Sequence, residues 1–436
     1  MCIERVPDEL LIEVFLSGHN IVGDGVEDIM RYLLAITSVC SLWRESAIST
    51  SQLWATIHVP FYNHRRIDSI EQYVKTLVER SHHQLLDVMI STNVYSSRKN
   101  SKRIWSLILP HSSRIKRLAL RLRSHPEIFF PLPAPLESLV DLEVSHEERS
   151  SGQNAFSEDL TLHLRRFAFD RWPVSFHSID SSKLEEIFLK GQTTSEVLGL
   201  LSKCHLLRRA KLHRWRYDTV WDVSEAAYLP RLEFLEIHDT APFAFRRYLV
   251  TPELKELHII YGSAFRNTIV EQEILPLIPP PHLVNLTLSR FILRGLRDRL
   301  NMSSACSKLL FAYSSIKSLT LDRCAHMAEL LALLINNSVT SLVVNIPNLD
   351  AGHESEQTKV ALLPRLTSLY LLPKTTPTKF EPYEGEDWAA LGATTRTLLE
   401  LRPGFTVHSY TEVFQAMGVD SDDSRCIAIS SQAGAV

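Results

Sequence analysis

Leu232-Glu233-Phe234-Leu235-Glu236-Ile237 places apolar side chains at its first, fourth and sixth positions, and that spacing decides the fold. The fourth and sixth positions alternate along the chain, so they share one face of a short strand, and the first turns inward as the chain enters it. One such strand cannot bury its apolar face alone. Parallel copies stacked side by side can, with the returning segments covering the inner side.

Working outward from that stretch, the same apolar-x-x-apolar-x-apolar pattern recurs through most of the 436 residues. Toward the N-terminus it reads Leu207-Ala210-Leu212, Leu184-Ile187-Leu189, Leu164-Phe167-Phe169, Leu139-Leu142-Val144, Ile115-Leu118-Leu120 and Leu85-Val88-Ile90. Toward the C-terminus it reads Leu254-Leu257-Ile259, Leu283-Leu286-Leu288, Ile316-Leu319-Leu321, Val339-Leu342-Val344 and Leu366-Leu369-Leu371. Successive starts lie roughly 20 to 33 residues apart, overlapping the period of leucine-rich repeats and running somewhat beyond it. Parallel strands require crossovers, usually helical. Val197, Leu198 and Leu201 share one face of a helix over 195–204, and Met327, Leu330, Leu331 and Leu334 do the same later on. Other returns are Pro-rich, as at Pro131, Pro133 and Pro135 and at Pro279-Pro280-Pro281, and suit irregular backbone. The Asn that closes the strand in regular leucine-rich repeats has no consistent counterpart, Asp170, His238, Ser289 and Asp322 standing at comparable places. The expected fold is therefore an α/β solenoid, an irregular leucine-rich-repeat array of parallel strands over 85–375. An ordinary α/β domain would show the same spacing.

Beyond the array, Thr375 to Asp387 reads as a Pro-, Thr- and Glu-rich loop, and Trp388 to Leu401 as a closing helix with Leu391, Leu398 and Leu399 inward. Thr406-Val407-His408 suits a final edge strand, followed by a short helix through Phe414 and Met417, which completes a cap over 376–417. Residues 418–436 read as a polar, frayed tail.

The N-terminal stretch has a different, helical period. Val6-Pro7-Asp8-Glu9-Leu10-Leu11-Ile12-Glu13-Val14-Phe15 puts Pro7 where a helix start leaves the N–H unpaired anyway, and Asp8 and Glu9 where the helix dipole favours negative charge. Leu10, Leu11, Val14 and Phe15 form its apolar stripe. Two further helices follow a Gly/Asp loop, through Leu33, Leu34 and Ile36 and then Val39, Cys40, Trp43 and Ala47. A unit of under about 60 residues is marginal on its own and needs something to pack against. A linking helix over 61–84, with Ile67, Ile70, Val74 and Leu77 on one side, joins the helical unit of 1–60 to the array.

The run Val6-Pro7-Asp8-Glu9-Leu10-Leu11-x-x-Val14-Phe15, then Leu33-Leu34, then Val39-Cys40-x-x-Trp43-Arg44 and Leu53-Trp54, resembles the F-box, most closely that of fungal F-box-like proteins. Val6 stands where that family usually has Leu, and the connection from Ser17 to Asp28 is longer than in the compact motif. The resemblance implies a small all-α module that docks on a Skp-type adaptor and through it on a cullin–RING ubiquitin ligase. The contact residues it implies are Val6, Pro7, Leu10, Leu11, Val14, Phe15, Leu33, Leu34, Val39, Cys40 and Trp43. The function implied is substrate recognition, with a protein target held by the repeats. A helical cap over the open end of the array, or a repeat scaffold or inhibitor acting without a ligase, is the alternative.

Composition narrows the classes. Hydrophobic residues at 45%, charged residues at 22% and a net charge of −3 describe a globular chain and argue against general binding to nucleic acid or a membrane surface. The six cysteines are scattered with no Cys-x-x-Cys pair, so neither a zinc site nor a disulfide framework is expected, and a cytoplasmic or nuclear setting follows. No leader-like segment and no membrane-length apolar run is present. No nucleophile elbow, zinc-protease helix, phosphate loop or calcium loop occurs, so neither an intrinsic active site nor a cofactor is expected.

What stands out instead is a basic cluster, Arg208, Arg209, Lys211, Arg214, Trp215 and Arg216, with Arg165, Arg166 and Arg171 two repeats earlier. In a stack, residues between the inward positions face the opposite side, so Arg166, Arg209, Lys211 and His213 would share a surface with Glu236, His238, Glu256 and His258. Two readings stand. The basic and acidic strands neutralise one another, or Arg166, Arg209, Lys211, His213, Trp215, Glu236 and His238 hold an acidic segment of a target, with Arg as fork and Trp as anchor.

Overall fold

The computed structural model describes residues 6–21, 26–60, 67–92, 96–123, 128–130, 132, 136–146, 163–170, 179–213, 226–238, 249–260, 280–289, 315–322, 368–372, 388–401, 406–409 and 426–428. The chain divides into two compact units, Met1–Gln192 and Thr193–Val436. Each unit carries a sheet in which every described pairing is parallel.

In the first unit, helices α1 (Asp8–Ile21), α2 (Val26–Ser38) and α3 (Ser41–Ser49) precede the sheet. The strands are β1 (Thr56–Pro60), β2 (Leu86–Ser91), β3 (Ile115–Leu122), β4 (Asp141–His146), β5 (Arg166–Asp170) and β6 (Glu186–Lys190), paired in chain order. Helix α4 (Ile67–Arg80) crosses from β1 to β2, and α5 (Arg98–Ile108) from β2 to β3. Their buried faces, Val74, Leu77 and Val78 on α4 and Ile104, Trp105 and Ile108 on α5, cover the apolar side of the strands. This is the helical crossover that parallel pairing demands.

The second unit opens with α6 (Thr194–Leu201), fixed by a capping box in which Thr193 and Glu196 bond each other's backbone. Strands β7 (Arg209–His213), β9 (Phe234–His238), β11 (Glu256–Ile260), β12 (Asn285–Ser289), β13 (Ser318–Asp322) and β14 (Ser368–Leu372) then pair in chain order. A separate parallel pair, β8 (Ala227–Tyr228) with β10 (Leu249–Val250), lies in the returning segments. Helix α7 (Trp388–Leu401) buries Leu391 and Leu399 as its spacing suggested, and the Leu398 side chain lies outside the described residues.

The repeat reading holds at residue level. Eleven of the twelve triplets have their alternating positions on a described strand, and from Ile115 to Leu321 every triplet residue on a described strand or its entry is buried. Val339-Leu342-Val344, the helix through Met327 and Leu334, the loop 375–387 and the helix through Phe414 and Met417 lie outside the described residues. Within each unit the arrangement is that of an α/β solenoid, one strand and one return per repeat.

Three elements differ from expectation, each for a physical reason. The first repeat is entered by Leu86, fully buried, and not by Leu85, which is 49% exposed. A bulge between Leu86 and Asp87 puts Leu86 opposite Ile115 and so takes up the residue by which this repeat is short. Thr406-Val407-His408 is not an edge: β15 (Thr406–Ser409) is flanked by β14 and by β16 (Cys426–Ala428), with Cys426 buried. The polar run before Cys426 hid a short apolar strand in the expected tail. Finally, Trp54, Ile57 and Val59 repeat the strand pattern inside the segment expected to be all helical, and β1 adds to β2 in register. The helical module is thereby continuous with the sheet through its last strand.

Candidate functional site

Helix α1 carries two apolar faces rather than one. Leu11 and Phe15, four apart, point inward and are buried with Ile29, Leu33 and Ile36 of α2 and Ala47 of α3. The Phe15 ring meets Trp43 edge-on with centroids 5.0 Å apart. Tyr32 seals the α1–α2 contact by donating its hydroxyl to the Phe15 carbonyl at 2.8 Å. Gly18 lies under that ring so closely that a Cβ there would stand 2.3 Å from the Tyr32 hydroxyl oxygen, so the approach requires glycine.

The second face is left to solvent. Val6, just ahead of α1, is 39% exposed, and Leu10 at 54% and Val14 at 59% lie four apart along one side of the helix. Leu34 of α2 is 63% exposed and Val39, between α2 and α3, 51%. Pro7 and Cys40 are exposed beside them. Of the eleven residues implied for adaptor contact, seven are thus open: Val6, Pro7, Leu10, Val14, Leu34, Val39 and Cys40. Leu11, Phe15 and Leu33 belong to the module's own core, and Trp43 is half-buried between the two roles. The correction follows from helical geometry: a stripe read as Leu10-Leu11-Val14-Phe15 spans too wide an arc for one face.

On the sheet of the first unit, the outward positions carry a charge ladder. Asp87, Arg117, Asp141, Arg166 and Glu186 stand opposite one another on consecutive strands. Arg117 lies 3.6 Å from Asp87 and 3.5 Å from Asp141, and Arg166 3.9 Å from Asp141 and 3.1 Å from Glu186. Partial burial pushes the Asp141 carboxyl above the usual range, outweighing both arginines. A one-residue slip of any of these strands would misalign the pairs, so the ladder favours the observed register. Arg166, expected on a target-binding surface, is spent in this neutralised row.

In the second unit the outward row through Lys211, Glu236, His258, Thr287 and Thr320 crosses five strands. Glu236 is its buried centre: His213 Nε2 donates to Oε1 at 2.7 Å and Lys211 Nζ lies 3.5 Å from Oε2. Burial alone would raise its pKa, but the His213 hydrogen bond with the charges of Lys211, His213 and His258 holds it below the ordinary glutamate value. His213 and His238 meet edge-on at 4.9 Å, as do Phe234 and His258. The neutralisation expected from the sequence is present at one of the two cations. Glu236 neutralises Lys211, whereas Arg209 stays exposed, its guanidinium carbon 4.9 Å from the centroid of Phe234. Trp215, Arg214, Arg216 and Arg171 lie outside the described residues. Phe234, which sequence reasoning passed over, is signalled by an aromatic at an outward strand position opposite a cation.

Among the described residues, no group of three or more His, Cys, Asp or Glu is placed to hold a metal ion, and no helix is long and apolar enough to cross a membrane. Cys204 is buried, which pushes its thiol up to about 12, so it is no nucleophile at neutral pH. No protein-family model matches the chain. No curated protein matches it significantly in sequence.

Proposed function

We propose that the chain is a substrate receptor of a Skp–cullin–F-box type ubiquitin ligase. Its N-terminal helices would act as an F-box-like module recruiting the adaptor, and its leucine-rich parallel array would hold a protein target in cytosol or nucleus. The observation that carries this reading is that Val6, Leu10, Val14, Leu34 and Val39 stay exposed on a module whose own core is already filled by Leu11, Phe15 and Leu33. Large apolar side chains that a packed module leaves in solvent point to a partner site. The residues supplying the resemblance to the F-box include all five of these.

The contribution to the reaction is positional. Holding a target beside a conjugating enzyme raises the effective concentration of its lysines, and the thioester and isopeptide steps belong to other subunits. Parallel stacking suits the holding role, because each repeat adds one row of outward side chains to a continuous surface.

The test is capture of a purified Skp-type adaptor by the full-length chain. Wild type retains it, and Leu10→Asp with Val14→Asp loses it while still unfolding in one cooperative transition. Failure of wild type to bind any Skp-type adaptor would overturn the ligase role and leave a repeat scaffold. Leu11→Asp is the wrong variant, since a carboxylate at that buried site unfolds the module.

A further inference from the structure

We propose that Arg209, with Lys211 beside it, anchors a carboxylate of an acidic segment in the partner held by the second unit. The inference rests on reading that sheet face as the target-binding surface.

Arg209 and Lys211 sit two apart on β7 and so project from one face. Both approach the same ring, the Arg209 guanidinium carbon at 4.9 Å and the Lys211 ammonium at 5.8 Å from the Phe234 centroid. Lys211 is already answered by Glu236 at 3.5 Å, so Arg209 is the cation beside this ring left to take an anion. The neighbouring carboxylates of the unit already have partners. Glu236 takes His213 and Lys211, Glu256 accepts from the Asn285 amide at 3.3 Å, and Glu233 takes Arg208 at 3.2 Å and Lys255 at 3.4 Å. Among the described residues Arg209 has no carboxylate partner. The ring holds its guanidinium without consuming an N–H, so its fork of donors stays available to a two-oxygen acceptor.

Charge decides the class of anion. Phe234 lies opposite Arg209, and Glu236 and Glu256 stand on the same and the next strand. A dianionic phosphoryl group would meet both fixed carboxylates with one uncompensated cation to balance it. A carboxylate matches that single charge. Beyond the site, β12 and β13 present Asn285, Thr287, Ser318 and Thr320, an uncharged polar surface for the backbone of the segment.

The probe is fluorescein-labelled hexaglutamate, titrated with the full-length protein and followed by anisotropy, alongside hexaglutamine and a phosphoserine peptide of the same formal charge. Wild type binds hexaglutamate, binds hexaglutamine no better than free dye, and prefers hexaglutamate to the phosphoserine peptide. Arg209→Gln weakens hexaglutamate binding by about tenfold or more, the worth of one charge-assisted hydrogen-bonded pair. Lys99→Gln with Lys102→Gln, exposed cations on α5, leaves it unchanged. Absence of hexaglutamate binding by wild type, equal binding by Arg209→Gln with Lys211→Gln, or an equal loss in the α5 variant overturns the proposal. Tighter binding of the phosphoserine peptide overturns the assignment to a carboxylate. No adaptor enters the assay, so adaptor capture and hexaglutamate binding fail independently.

Discussion

Truncating Leu10 and Leu34 to alanine separates binding from folding at the N-terminal helices. Each substitution removes three carbons beyond Cβ, and burying a methylene is worth about 0.8 kcal/mol. Leu10 keeps 54% and Leu34 63% of its surface in solvent, so only that share remains for a partner to cover. Scaled in this way, the two side chains offer about 1.3 and 1.5 kcal/mol to an adaptor, together about 3 kcal/mol. The double variant should therefore bind a Skp-type adaptor about a hundredfold more weakly. The shares already covered in the free protein are worth about 1.1 and 0.9 kcal/mol on the same scale, so its unfolding free energy should fall by about 2 kcal/mol for the pair. Phe15→Ala reverses the pattern: the ring is fully enclosed, and its loss costs about 3–5 kcal/mol of stability. Calorimetric titration with purified adaptor and urea unfolding read the two quantities separately. A Leu10→Ala, Leu34→Ala protein that binds within about threefold of wild type refutes the assignment of this face, as does one that loses binding only by unfolding.

Two further outcomes follow from local geometry. Gly18→Ala forces a methyl against the Tyr32 hydroxyl, which must swing away and release the Phe15 carbonyl, so urea unfolding should show a loss of about 1–3 kcal/mol. Glu236 has a folded pKa below its unfolded value of 4.5, so the stability it adds is complete above that pH and is lost as pH falls through the folded pKa. The melting-temperature gap between wild type and Glu236→Gln should accordingly narrow on acidification below 4.5, and a gap constant between pH 7 and pH 3 would contradict the ion-pair role.

Much of the fold was legible because its cause is local. Two apolar positions alternating on a short strand and a third at its entry are chemistry that each repeat restates, and Phe167 and Phe169 or Leu286 and Leu288 are buried as the period requires. The misreadings came where a neighbour overruled the local pattern. Leu85 and Leu86 are equivalent as sequence, and only the bulge opposite Ile115 and Arg117 selects the second. Trp54, Ile57 and Val59 carry the strand spacing in full, but a helical context drew attention away from it. The site was half legible: the apolar residues of α1 and α2 were identifiable by type, although their division between core and surface was not.

The sequence by itself determined that parallel strands would stack and that a helical module would precede them, because periods of two and of 3.6 residues are written in side-chain polarity. Tertiary structure alone decided which apolar residues remain in water. Leu10 and Leu11 are adjacent and chemically identical, and one is half open while the other is enclosed, since the helix turns by about 100° per residue and α2 covers only one side. It alone decided which charges are answered as well. Arg166 and Arg209 stand at the same place in their repeats, but the carboxylates of Asp141 and Glu186 flank the first and a phenyl ring faces the second. Charge and polarity are properties of a residue, whereas exposure and pairing belong to its neighbours across the sheet.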